Sequence, residues 1–142
     1  MELLLDNHAY QDIYEHARKT FPNECCGFLY GKEHENRVIY QTLEINNVMQ
    51  GDQRDKFQIG PKDYQYGEKY ARQNNIDLLG IYHSHPDHPA YPSEFDLRMA
   101  FPYFSYIIIS LDREKMLDIK SWQLSEEQSF EEEVIHFAKV VQ

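Results

Sequence analysis

The stretch Leu78-Leu79-Gly80-Ile81-Tyr82-His83-Ser84-His85-Pro86 turns from apolar to polar and stops at a proline. Leu78 to Tyr82 is an apolar run of strand length, the pattern of a buried strand. It leads directly into His83 and His85, which share one face of an extended backbone about 7 Å apart along the chain. Two imidazoles so placed can converge on one cation. Ser93-Glu94-Phe95-Asp96 follows, with a helix opening at Ser93 that brings Asp96 back toward the histidines as a third candidate ligand. Three ligands leave one corner of a tetrahedron for water, which separates catalytic zinc sites from closed structural ones.

Outward from this stretch, Cys25 to Tyr30, bounded by Glu24 and Gly31, is another buried run, and Val38 to Ile45 alternates as its hairpin partner across Lys32 to Asn36. A first helix is expected from a cap at Asp6 or Asn7 to about Thr20, stopped by Phe21-Pro22. Its apolar stripe is Ile13, Ala17 and Tyr10 or Tyr14, and it should lie on the domain surface. Residues 46–56 read as a polar loop, Phe57 to Ile59 as a short strand, and Pro61 to Asn74-Asn75 as a second helix. The third helix ends at Phe101-Pro102. Tyr106 to Leu111 is the most β-branched strand, and Met116 to Leu124 pairs with it across Asp112 to Lys115. Near the C-terminus, Glu126, Glu127 and Glu131 to Glu133 ahead of Lys139 suit a helix, whereas Val134, Ile135 and Phe137 suit a strand; the segment is read as a last strand. With no repeat or linker, the expected fold is α/β (α+β): a single domain over residues 1–142, with a mostly antiparallel mixed sheet flanked by helices.

A chain of 142 residues and 17.0 kDa can bury a core without disulfide or metal staples. A net charge of -10 with no Lys/Arg cluster disfavours nucleic acid as a partner. Cys25 and Cys26 are the only cysteines and are adjacent, so a disulfide framework is not expected and a cytoplasmic setting fits. The first residues lack a basic leader, and Ile107-Ile108-Ile109 is too short to span a bilayer, so no membrane partner is expected.

Each piece of the central stretch also has a structural explanation. Ser93 and Asp96 have the spacing of a capping box, His-x-His is common, and His88 makes the segment His-rich. Their conjunction is what points to a site: a strand end, two same-face histidines, a proline-bearing loop and a helix start that returns an acid, at the sheet edge where α/β sites form. Hydrolysis at a zinc site also needs a carboxylate base that is not a ligand. Glu24 is the candidate, because a carboxylate heading an apolar strand is costly unless it faces a polar site or solvent; a solvated strand end is the other explanation. Cys25 and Cys26 read as core residues, and Asp87 and His88 as loop polar groups rather than accessory ligands. Tyr91 and Phe57 are candidates to line a substrate channel, with core packing the alternative for Phe57. His8, His16, His34 and His136 lack partner spacing and read as surface or capping residues.

The set resembles the JAMM, or MPN-plus, zinc metalloproteases, whose motif is a glutamate on an early strand, then His-x-His-Pro, six residues, Ser, two residues and Asp. Glu24-Cys25-Cys26-Gly27, His83-Ser84-His85-Pro86, Asp87 to Pro92 and Ser93-Glu94-Phe95-Asp96 fill every position. Gly80-Ile81-Tyr82, Pro92 and the strand Tyr106 to Leu111 agree as flanks, and the resemblance covers roughly residues 7 to 125. It implies a cytidine-deaminase-like JAMM/MPN fold and one Zn2+ per chain held by His83, His85 and Asp96. Glu24 would be the base acting through water, and Ser93 would stabilise the oxyanion, provided its hydroxyl is shared with the helix cap or switches.

Family members that cut ubiquitin chains are longer. The chain is similar to compact bacterial and archaeal forms, some of which act at the C-terminal Gly-Gly of ubiquitin-like sulfur-carrier proteins. The implied function is therefore a zinc metallopeptidase or isopeptidase with such a carrier as substrate and partner. Two other readings are a non-catalytic zinc-containing module that binds a ubiquitin-like partner and a RadC-type protein associated with DNA repair. The intact motif stands against the first, and the acidic charge and lack of a helical DNA-binding segment against the second.

Overall fold

The structure, a computed structural model, describes residues 2–140. Its elements are β1 (Glu2–Asp6), α1 (Asn7–Thr20), β2 (Cys26–Glu33), β3 (Arg37–Ile45), α2 (Pro61–Gln73), β4 (Asp77–Pro86), α3 (Glu94–Met99), β5 (Ser105–Leu111), β6 (Met116–Leu124) and β7 (Phe130–Ala138). The local chemistry explains several boundaries. Asp6 accepts hydrogen bonds from the His8 and Ala9 N–H groups and so caps α1, and Pro61 takes the first turn of α2, where its missing N–H costs nothing.

The strands lie in the order β1-β3-β2-β4-β5-β6-β7, and β1 closes the sheet into a barrel by pairing with β7. β2–β3, β2–β4, β5–β6 and β6–β7 are antiparallel, whereas β1–β3, β1–β7 and β4–β5 are parallel. The mixed α+β architecture flanked by helices is the one expected, and the C-terminal segment is a strand. Three details differ. β1 was not anticipated, because its partners, residues 37–39 and 134–138, are remote in sequence. Phe57 to Ile59 is extended but has no ladder, since Gln58 is held by Asn47 Oδ1 and the Val48 N–H instead of by a strand. β4 continues through Pro86, so both histidines stand within the strand.

Alternation along the strands divides the core in two. Leu29, Tyr82, Ile107 and Ile109 pack with Ala9, Ile13 and Ala17 of α1, and Phe28, Tyr30, Ile81 and Ile108 face the opposite side with Ala71 of α2. His83 and His85 follow the parity of Ile81, which puts them on the α2 side. The α1 face of the sheet is therefore mainly apolar and the other face carries the polar centre. No helix among the described residues is long and apolar enough to cross a membrane.

β4 and β5 approach so closely at Gly80 that a Cβ there would lie 1.9 Å from the Ser105 carbonyl oxygen, which is backbone and cannot turn aside. Gly80→Ala is expected to cost about 1–3 kcal/mol, in the range of overpacked core substitutions. The denaturant midpoint measures it, and an unchanged midpoint would mean that the two strands separate freely at that point.

Candidate metal centre

Four side chains from three elements meet at the C-terminal end of β4. Glu24 precedes β2 and is 0% exposed, His83 and His85 are each 1% exposed, and Asp96 in α3 is 6% exposed. Pairing sets their positions: Cys26 of β2 stands opposite His83, and the Ser84 N–H donates to the Cys25 carbonyl at 3.2 Å. Ser84 Oγ accepts the Cys25 N–H in return at 2.8 Å. Ser84, the middle residue of the His-x-His, is thus a buried clasp between the strand of the histidines and the segment of Glu24, a role that nothing in the motif spacing indicates.

His85 gives the clearest electrostatic evidence. Its Nδ1 lies 2.7 Å from the Pro89 carbonyl, which can only accept, so Nδ1 carries a proton and Nε2 is left to face the centre. That Nε2 lies 3.3 Å from Asp96 Oδ2, so either a second proton or a metal ion satisfies both atoms. Asp96 Oδ2 is also 3.9 Å from His83 Nε2. Ligand atoms about 2.0–2.1 Å from a tetrahedral zinc ion lie about 3.3 Å apart, close to these separations. On the other side, Glu24 Oε1 is 3.3 Å from His83 Nδ1, and Glu24, His83 and His85 offer ligand atoms all within 4.8 Å of one another. Glu24 Oε1, Glu24 Oε2 and His83 Nδ1 are buried without a hydrogen-bond partner. Three such atoms at one point are rare in a native interior and form a site that a cation or water satisfies. The donor set, two imidazoles and carboxylates with an oriented Nδ1–H behind one imidazole, fits zinc.

The protonation equilibria follow from burial. Desolvation pushes the Glu24 carboxyl up to about 9; His85 opposes this in part and Asp96 reinforces it. Desolvation lowers His83. Burial would also raise Asp96, but His83, His85 and the Ser93 N–H outweigh it and hold the carboxyl well below the usual carboxylate range.

Ser93 and Asp96 do form the capping box: Asp96 N–H donates to Ser93 Oγ at 3.0 Å and Ser93 N–H to Asp96 Oδ2 at 2.9 Å. Because Ser93 Oγ only accepts in the cap, its own proton is engaged by no acceptor among the described residues. Capping and donation are therefore compatible without sharing or switching. The box also orients Asp96, so the structural and chemical explanations of this pair coincide.

Around the centre, Phe57 stacks on His83 with ring centroids 4.4 Å apart, and His88 stacks on His85 at 4.0 Å while its Nδ1–H donates to the Pro86 carbonyl. His88 is thus a loop group, as expected. Tyr91 stands at the surface beside Trp122 and does not line the cleft described below. Both cysteines are buried and unpaired, and burial pushes the Cys25 thiol up to about 12, which leaves it inert as a nucleophile. His16 requires correction. It lies on the buried face of α1, with Nδ1 2.7 Å from the Tyr82 hydroxyl, because position 16 shares a helical face with Ile13 and Ala17.

Two residues were missed. Asn47 donates from Nδ2 to the Glu24 and Lys56 carbonyls, each at 3.1 Å, and accepts at Oδ1 from Met49 and Gln58 N–H. The Gln53 carbonyl takes the Glu24 N–H at 2.7 Å. The loop of residues 46–60 therefore holds the backbone of Glu24 on both sides. A polar loop gave no signal of this, because the bonds run between segments more than twenty residues apart.

An apolar cleft opens beside His83 and Asp96, walled by Phe57, Ile59, Ile81, Tyr106 and Ile108.

Comparison with known proteins agrees with this architecture. The family described as prokaryotic homologs of the JAB domain matches residues 6–125. A desampylase of Pyrococcus furiosus is 32% identical over 109 residues, covering 77% of this chain and 72% of that protein. A desampylase of Haloferax volcanii is 30% identical over 115 residues, covering 78% and 81%. The solution structure of a protein from Desulfitobacterium hafniense superposes with a TM-score of 0.86 at 33% identity, covering 99% of this chain and 95% of that one.

The raised Glu24 value fixes a sign. A carboxyl whose folded pKa lies above its unfolded value contributes stability at low pH that is lost as pH rises toward the folded value of about 9. The lowered His16, His83 and His88 act oppositely, an effect that fades over about one pH unit above their unfolded value of about 6.5, and the buried thiols begin to act as pH approaches about 8.5. These groups are common to wild type and Glu24→Gln, so between about pH 6.5 and 8 the chelator-treated wild type is expected to lose about 1 kcal/mol per pH unit more than the variant. Thermal unfolding across this window is the measurement; an equal slope in the variant would show that Glu24 does not retain its proton.

Proposed function

We propose that this chain, which belongs to the prokaryotic JAB-domain family of compact JAMM/MPN proteins, is a zinc-dependent metallopeptidase or isopeptidase. It hydrolyses the bond that follows the C-terminal Gly-Gly tail of a ubiquitin-like, sulfur-carrier type of protein. The observation that carries this reading is the cluster of orphaned buried atoms on Glu24 and His83, next to a His85 Nε2 that faces Asp96 at 3.3 Å. The name desampylase, borne by two relatives, supports it in kind.

In this reading His83, His85 and Asp96 hold one zinc ion and Glu24 stays free as the base. When bound, the metal supplies Lewis acidity that polarises the scissile carbonyl and brings water toward a pKa of about 7. Glu24 takes a proton from the attacking water and hands it to the leaving amine. Its carboxylate lies within 4.8 Å of both histidines, a gap that one water bridges. A bound cation beside it would draw the Glu24 carboxyl down from the raised value that burial alone gives it, leaving it ionised to accept that proton. Ser93 donates its free hydroxyl proton to the developing oxyanion. Phe57, stacked over His83, keeps bulk water from one side of the centre. The extended segment 57–59 offers a glycine-ended tail a backbone to pair with, and glycines pass a narrow approach to the metal. The whole of residues 1–142 acts as one domain in this account, and the two unpaired thiols suit a reducing cytoplasm.

Glu24→Gln is expected to retain about one zinc per chain and to lose cleavage by about 10²- to 10⁴-fold. Asp96→Ala and His85→Ala lose the metal itself. Ser93→Ala keeps metal and loses about 10²- to 10³-fold in kcat. Metal content by elemental analysis, with intact mass of a carrier extended beyond Gly-Gly, reads all four; full activity in Glu24→Gln would remove that residue from the mechanism.

A further inference from the structure

We propose that the apolar cleft beside the metal centre is the subsite for the first side chain upstream of the substrate's Gly-Gly, and that it selects an aliphatic or aromatic one. This rests on the peptidase reading above. The cleft is walled by Phe57, Ile59, Ile81 and Ile108, and Met99 and Phe101 form its lip at 46% and 47% exposure. Its only wall residues able to carry charge near neutral pH are His83 and Asp96, both of which belong to the centre. A charged side chain entering it would be desolvated without a partner.

Position identifies which part of the substrate enters. Glu24 faces the Nδ1 edge of His83 and is absent from the cleft wall, whereas Asp96 faces the Nε2 edge and is part of that wall. A base that delivers its proton to the leaving amine stands on the leaving-group side of the scissile carbon, so the cleft serves the acyl side. Two glycines put no side chain there, and the residue before them is the first that does. The backbone gives a second argument. Gln58 turns its N–H and C=O to Asn47 and Val48, and those of Phe57 and Ile59 find no partner among the described residues. Phe57 and Ile59 also line the cleft. A tail added as a strand along 57–59 therefore hangs alternate side chains over the same wall.

The test is a series of X-Gly-Gly tails joined to a reporter amine, with X as Leu, Phe, Ala, Lys or Asp, assayed for kcat/KM. In parallel, product peptides ending in X-Gly-Gly are titrated into zinc-loaded Glu24→Gln protein by calorimetry. Leu and Phe are expected to exceed Asp by about 10- to 100-fold in both readouts. Phe101→Asp, or Met99→Asp, at the exposed lip shifts the preference toward Lys. Equal values across the series, a preference that follows the residue after the scissile bond, or an unchanged ranking in both lip variants would overturn the assignment. Apolar ranking in binding without turnover of any member would retire the peptidase reading and keep the subsite; turnover without ranking would do the reverse.

Discussion

The pairing of β2 with β4 is the constraint on which the rest of the centre depends. Cys26 opposite His83, with Cys25 and Ser84 bonded through both backbone and Oγ, aligns the segment of Glu24 with the histidine strand. The register includes a bulge, because Leu29 pairs with Gly80 and Tyr30 with Leu78. That extra residue puts Ile81, His83 and His85 on the α2 side while Leu79 faces α1. A slip of one residue would turn both imidazoles into the mainly apolar α1 cluster and the apolar side chains toward the polar centre. Gly27 secures the fit: a Cβ there would come within 2.3 Å of the Tyr82 ring.

Around that pairing the molecule concentrates its electrostatic cost in one place. Uncompensated burial of a carboxylate and an imidazole is unfavourable, and here it is tolerated because apolar clusters on both faces of the sheet are extensive and well connected. The capping box aims Asp96, the Pro89 carbonyl selects the tautomer of His85, and the Asn47 loop anchors Glu24. Each of these side chains is thus oriented by a neighbour, an arrangement that lowers reorganisation when charge develops beside it.

What was legible in the sequence, and what was not, divides by range. β2, β4 and β5 announce themselves as apolar runs, and Glu24, His83, His85, Ser93 and Asp96 stand out by type and spacing, residues that the fold brings to one place. β1 did not, since five residues with no hairpin partner have no local signal, and its role in closing the barrel depends on two remote strands. His16 looked like a surface histidine because burial of a polar ring becomes intelligible only once the Tyr82 hydroxyl is seen beside it. Segment 57–59 has a strand's composition, but its neighbour is a side-chain amide instead of a strand.

Closure of the barrel by β1 and β7 has a mechanical consequence. The two strands run parallel over five aligned pairs, from Glu2 with Val134 to Asp6 with Ala138, so the outer end of β1 and the outer end of β7 lie at opposite ends of the seam. A force applied between residues 2 and 138 therefore loads all five rungs in shear at once, where a hairpin would open rung by rung. Resistance to such pulling is governed by the unfolding barrier and not by net stability. A threading machine that pulls on residue 2 or residue 138 meets this sheared seam before the strands behind it.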